Sequence, residues 1–311
     1  MISDGAAGNE RQALALARAL GLEPRVLHLR LRHPWDWLSP HLTRGAAVAM
    51  RDALGAPIKA PWPEIAIGCG RKAALLTRCL RSWSKGRCFT VQILDPRTRP
   101  ELFDLVVTPK HDRLSGTNVI KTLGALNPVD DAWLLHGRER FGQLAALPHP
   151  RTGVLIGATN AAASLDDRYF RSLLAMLSEH HAEHGGSFLV STSRRTPSGR
   201  VAQLRTEFSR WPGVFWGGPA DGENPYAGIL AWSDELIVSP DSVNMVSEAC
   251  ATGKPVSAFA NEDLAGKLGE FHRSLQAGGF LAGSTPGNPG KILRETADVA
   301  AQIRARLNQS R

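Results

Sequence analysis

Short apolar runs alternate with amphipathic stretches along this chain, and the alternation begins twice. That feature limits the fold more than any other, because strands separated by helices pair in parallel within βαβ units. In the first half, residues 11–20 carry Ala13, Leu16, Ala17 and Leu20 at helical spacing, and Gly21 follows as a stop. Strands are predicted at 25–29, 65–69, 89–94, 105–108 and 119–122, with helical segments over 42–54 and 71–80. A first strand would have to end at Ser3, so it is either very short or begins upstream of this sequence.

Two prolines in AALPHPRT mark a linker near Leu147, and the alternation then restarts. Strands are predicted at 153–156, 187–192, 214–216, 235–238 and 256–259. Helices fall between them at 166–184, 201–210, 226–231 and 242–251, with another at 264–276. A last helix from Pro289 to about Leu307 opens with proline in its first turn. The reading is α/β: two Rossmann-like, doubly wound domains facing each other across a ligand cleft. Residues 1–147 form the N-terminal domain, 148–288 the C-terminal domain and 289–311 a C-terminal helix. A length of 311 residues with 43% hydrophobic and 21% charged residues suits two cores.

No run approaches the roughly 20 apolar residues of a membrane span, and the N-terminus lacks the features of a signal peptide. Four scattered cysteines without a CxxC pair argue against a disulfide framework or structural zinc, and for the cytoplasm. The net charge of +8 is spread rather than gathered into a stripe, which disfavours nucleic acid. It leaves two partners in view: phosphorylated ligands and an anionic membrane surface, with peripheral attachment.

The sharpest motif is SPDSVNMVSEACATGKPV, residues 239–256. It follows a predicted strand, turns at Pro240 and enters a helix capped by Asp241 or Ser242. In open α/β sheets ligands lie beyond the carboxyl ends of the strands, where helix N-termini attract phosphate. Glu248 lies about two turns beyond Asp241, so both can share one side of the helix and Glu248 can accept hydrogen bonds from ribose. The alternative is an ordinary capped helix with a surface glutamate. TSRRTPSG places Ser193 and Arg194 in a strand-to-helix loop that suits a diphosphate, against the alternative of a solvated basic turn. In GENPYA, Asn224 can cap the next helix and Tyr226 can line a base or sugar pocket. Gly157 in IGATNAA lets a phosphate approach the backbone.

The N-terminal turn SDGAAGNERQ is neither GxGxxG nor a P-loop, so dinucleotide binding loses support. Gly5, Gly8 and Asn9 line it, and Asp4 is the candidate base for an acceptor; a tight βα turn is the alternative. GCGRKAA repeats the pattern with Arg71 and Lys72. His180, His181 and His184 offer a histidine pair at i, i+4, but without a third ligand they read as a solvated helix face, and no metal is expected. Trp35 and Trp37 read as loop packing rather than a membrane contact.

Together SDGAAGNERQALALARALG, TSRRTP, NPY and SPDSVNMVSEACATGKPV resemble the elongated-mitochondria family of plant mitochondrial fission factors and its bacterial relatives. The resemblance runs from Ser3 to about Phe280. That family is similar in sequence pattern to GT-B glycosyltransferases, which bind a nucleotide-sugar mainly in the C-terminal domain. The resemblance implies that Glu248 contacts ribose and that Ser242, Asn244 and Met245 lie near the diphosphate or sugar. Ser193 and Arg194 would serve the nucleotide, while residues 4–9 face the cleft. Pro240 stands where retaining enzymes of this architecture commonly place a glutamate, which leaves the stereochemistry open. The expectation is a metal-independent glycosyltransferase with a nucleotide-diphosphate sugar as substrate and no cofactor. The alternative is a non-catalytic adaptor recruiting a fission-type, membrane-remodelling protein partner; a sugar-nucleotide epimerase is a third and weaker reading.

Overall fold

The computed structural model describes residues 1–282 and 291–309. They fold as two compact units, one of Met1–Pro128 with Glu295–Arg311 and one of Val129–Arg294.

Unit 1 opens with β1 (Ile2–Ser3), α1 (Ala7–Ala19), β2 (Leu27–His28), β3 (Arg30–Leu31), α2 (Trp35–Leu38), α3 (Ala46–Ala49) and β4 (Met50–Arg51). Then come β5 (Ile65–Cys69), α4 (Arg71–Trp83), β6 (Phe89–Ile93), β7 (Leu105–Pro109) and β8 (Val119–Thr122). Six strands pair in the order β2-β1-β5-β6-β7-β8, all parallel. The first strand is two residues long and yet interior: Ile2 pairs with Leu27 on one side and Gly68 on the other. Gly21 ends α1 as its sequence position implies. It sits at φ +75°, and the Leu22 N–H closes on the Ala17 carbonyl at 3.0 Å.

The helix predicted over 42–54 is replaced by a short turn of helix and a strand. Gly45 (φ +73°) lies under the Trp35 ring, and α3 then spans only four residues. The chain becomes extended at Met50, which is fully buried on β4, antiparallel to β3. Asp52 then closes a turn by accepting from the Leu54 and Ala56 N–H groups at 2.9 and 2.8 Å. Tertiary burial has overridden local helical spacing here.

Unit 2 contains α5 (Asp131–Arg140), β9 (Arg151–Ile156), α6 (Asp167–His184), β10 (Ser187–Thr192), α7 (Ser198–Phe208) and β11 (Gly213–Trp216). It continues through α8 (Tyr226–Trp232), β12 (Glu235–Val238), α9 (Val243–Cys250), β13 (Val256–Ala258) and α10 (Gly266–Ala277). The parallel order β11-β10-β9-β12-β13 reverses direction between β9 and β12. That reversal is the topological switch point of a doubly wound sheet, the place where such folds seat ligands.

The units divide at Pro128, not at 147. Helix α5 is the reason: Asp130 caps it by accepting from the Trp133 N–H at 2.7 Å, and Gly137 packs so closely on α8 that a Cβ would lie 2.7 Å from the Ala227 carbonyl oxygen. The prolines at 148 and 150 therefore lie inside unit 2. The predicted helix start at Pro289 lies outside the described residues, and the observed helix is α11 (Thr296–Gln309). It belongs to unit 1, where Val299, Ala300 and Ile303 share a core with Ala13, Leu16 and Ala17. Glu295 anchors its start by accepting from the Leu123 and Gly124 N–H groups, each at 2.8 Å.

Candidate functional site

The switch point of unit 2 brings two predicted residues into direct contact. Beyond the end of β9, a Cβ on Gly157 would lie 2.0 Å from Asp241 Oδ1, so glycine here makes room for a carboxylate. Asp241 is buried and accepts from the Ser239 hydroxyl at 2.6 Å and from the Ala158 N–H at 3.1 Å. The Gly157 N–H in turn donates to Ser239 Oγ at 2.8 Å, and Asn160 donates its amide to the Asp241 carbonyl at 3.0 Å. This network takes up the side of Gly157 that a Cβ would occupy and uses its N–H.

The loop after β10 joins the same place. Ser193 Oγ accepts from the Arg195 N–H at 3.1 Å, and the Thr196 hydroxyl donates to the Gly157 carbonyl at 2.7 Å. Of the two arginines, Arg195 rather than Arg194 approaches Asp241, with 3.6 Å between Nη2 and Oδ2. Arg194 is exposed and makes no hydrogen bond or ion pair with any described residue. A cavity of about 320 Å³ beside this loop is lined by Gly157, Phe170, Arg195, Thr196, Arg200 and Gln203 among others.

Ser242 caps helix α9, its Oγ accepting from the Met245 N–H at 3.3 Å. Ser242, Asn244 and Met245 are half-buried around its first turn. Glu248 is 1% exposed, and the Tyr226 hydroxyl donates to its Oε2 at 2.6 Å. Asn224 helps set Tyr226 by accepting from its backbone N–H at 3.0 Å. Glu248 is thus no surface glutamate. The two carboxylates of the motif serve different neighbours, Asp241 the β9 loop and Glu248 the tyrosine of α8.

His272 on α10 had no sequence signal. It is buried and bonded to the Pro240 carbonyl through Nε2 at 2.9 Å. Burial lowers its pKa, and the Pro240 bond and Asp241 oppose that shift. It supports from below the turn that aims α9.

In unit 1, Asp4, Gly5, Gly8 and Asn9 come together at the β1–α1 turn. Asp4 accepts from the Ala6 N–H through Oδ1 and from the Asn9 amide through Oδ2, each at 3.0 Å. Gly5 has φ +86°. A Cβ on Gly70 would lie 2.5 Å from Asn9 Nδ2 and 2.8 Å from Asp4 Oδ2, so the two glycine turns approach closely. Arg71 is committed elsewhere, donating to the carbonyls of Trp37 and Ser39 at 3.0 and 2.7 Å.

His180 pairs with Glu235 at 2.6 Å, at the amino end of β12 and so at the opposite end of the strand from Ser239 and Asp241. No group of three or more His, Cys, Asp or Glu among the described residues is arranged to hold a metal ion. Trp35 packs into the core of unit 1, whereas Trp37 is 71% exposed. No described helix is long and apolar enough to cross a membrane.

A family profile described as mitochondrial fission ELM1 matches residues 7–307. The chain belongs to that family. Mitochondrial fission protein ELM1 of Arabidopsis thaliana is 28% identical over 392 aligned residues, covering 99% of this ELM1-family chain and 90% of the relative. The uncharacterized protein RP120 of Rickettsia prowazekii is 25% identical over 301 residues, covering 83% and 82%. Among solved structures, Os79 from O. sativa in complex with UDP superposes at a TM-score of 0.52 with 14% identity, covering 98% of this chain and 92% of its own. The UDP-GlcNAc 2-epimerase of Methanocaldococcus jannaschii reaches 0.50 with 11% identity, covering 78% and 77%. At such identities the likeness shows the fold alone: this ELM1-family chain has GT-B-like, Rossmann-type units.

Proposed function

We propose that unit 2 binds a nucleotide-diphosphate sugar at the carboxyl ends of β9 and β12, and that the protein is a metal-independent GT-B-type glycosyltransferase. The observation that carries this reading is the buried Glu248 carboxylate, fixed by Tyr226 on the helix that leaves the switch point. A carboxylate is the group that accepts hydrogen bonds from ribose hydroxyls, and Tyr226 fixes the orientation of this one through Oε2. Asp241 takes the side of Gly157 that a side chain would occupy, so the diphosphate belongs at the first turn of α9, with Ser242, Asn244 and Met245, and with the exposed Arg194 as its counter-charge. Ser193 shapes the loop that presents Arg194. That UDP accompanies Os79 in its solved structure supports a nucleotide of this class. Asp4 is the proposed base for the acceptor hydroxyl, since each of its oxygens accepts only one hydrogen bond within the turn.

A non-catalytic adaptor with a fission-type protein partner is the second reading. The self-satisfied Gly157–Ser239–Asp241 network favours it, because it occupies a phosphate-accessible position with the protein's own carboxylate. A thermal-shift screen with UDP, GDP, ADP and their sugars separates the two. Stabilisation by one nucleotide supports the transferase, and no shift with any of them supports the adaptor.

A further inference from the structure

Unit 1 holds a cavity of about 700 Å³ at the carboxyl-terminal end of α4, in a region that the nucleotide reading does not use. Arg78, Arg81 and Lys85 reach it from that helix and its closing turn, and Arg44 reaches it from the segment preceding α3. Trp83 and Leu102 supply apolar wall. Among the described residues lining it there is no Asp or Glu.

Two of the four cations are held in place. Arg81 Nε bonds Asp104 Oδ1 at 2.9 Å, and Arg78 Nη1 donates to the Pro40 carbonyl at 2.8 Å. Each guanidinium keeps further N–H groups for another acceptor. The side chains of Arg44 and Lys85 make no hydrogen bond or ion pair with any described residue.

The helix dipole offers a simpler account, because cations at a C-terminus offset its exposed carbonyls. That accounts for Arg81 and Lys85 but not for Arg44, which comes from another element. Nor does it account for the backbone. Lys85 adopts φ +55°, and the Lys85 N–H to Ser82 carbonyl and Gly86 N–H to Arg81 carbonyl bonds make it the left-handed residue that closes the helix. Glycine is the usual occupant of that position, so a lysine there accepts backbone strain while placing a charge at the cavity rim.

We propose that this cavity is a phosphate-ester site. The guanidinium groups would take phosphate oxygens, Lys85 would add a point charge, and Trp83 would lie against the organic part. A soluble phosphate ester and the head group of an anionic phospholipid share this chemistry. Trp37 and Val48, 71% and 69% exposed, lie in the chain on either side of Arg44 and would suit the second source.

The test uses the full chain with two probes. Glycerol 3-phosphate is titrated by calorimetry, and flotation compares phosphatidylcholine vesicles with and without phosphatidylglycerol. Binding of glycerol 3-phosphate points to a soluble ester, and binding only to the anionic vesicles points to a lipid; either supports the site. Arg44→Ala and Lys85→Gly should each weaken it by about tenfold. Lys85→Gly should also raise Tm, because glycine relieves the left-handed backbone, so lost binding cannot be ascribed to unfolding. Failure of both probes to bind, or binding that neither substitution changes, would overturn the proposal. Nucleotide binding by unit 2 is read separately in the same preparations, so the two ideas fail independently.

Discussion

Gly157 and Asp241 are 84 residues apart in sequence, and a Cβ on the first would stand 2.0 Å from a carboxylate oxygen of the second. The pair ties the end of β9 to the turn that launches α9, so the switch point is built around a buried carboxylate rather than an open glycine loop.

Gly157→Ala should destabilise the protein by about 1–3 kcal/mol, because the added methyl cannot coexist with Asp241 in its present place. In an Asp241→Ser background the same substitution should cost much less. Urea denaturation of the two single variants and the double variant reads this coupling directly; additive losses would show that the contact is not what excludes a side chain.

Lys254 should make stability pH-dependent in the alkaline range. Burial, with Arg138 beside it, lowers its pKa from 10.5 to about 7, while its Nζ donates to the Ala231 carbonyl at 2.8 Å. The folded state therefore binds this proton less tightly than the unfolded state does. Stability should rise between about pH 7 and pH 10, on the order of 1 kcal/mol per pH unit at most, and the penalty should be fully present below pH 7. Lys254→Met should be more stable than the parent at pH 7, with the difference shrinking as pH rises. Parallel denaturation curves at pH 7 and pH 9.5 check it.

Glu295→Ala should loosen α11 from unit 1. It strands the backbone N–H groups of Leu123 and Gly124 and removes a charged acceptor, at a cost of about 2–4 kcal/mol. Hydrogen exchange should show faster exchange in α11 and in the facing part of α1, with the strands of unit 2 unchanged.

The sequence made some of this plain for physical reasons. Strand–helix alternation survives because each strand of a parallel sheet must be apolar and each covering helix must be striped, so both units and nearly all of unit 2's elements were legible. A cap at Asp241 or Ser242 was legible because capping chemistry is local, but the choice of Ser242 was not, since it depends on Asp241 being held by Ser239 and Ala158. Asn224, Tyr226 and Glu248 were each singled out, but their contact was not, since α8 and α9 meet only through tertiary packing. The choice between Arg194 and Arg195 could not be made from adjacent identical residues. His272 was missed because a single histidine on a helix carries no signature of what it supports. The 42–54 helix failed because spacing cannot register a left-handed Gly45 or the burial of Met50. The unit boundary was misplaced because a proline-bearing linker marks a turn, not which core α5 joins.

The proposed role of Glu248, accepting hydrogen bonds from the ribose of a bound nucleotide, is read by calorimetric titration. UDP, GDP and ADP are titrated into the wild-type protein and into Glu248→Ala, with Tm measured to show that the variant is folded. One nucleotide should bind the wild type, and its affinity should fall about tenfold to a hundredfold in the variant, the worth of a hydrogen bond to a charged group. Binding of equal strength to both proteins, or no binding of any of the three to the wild type, would rule this role out for Glu248.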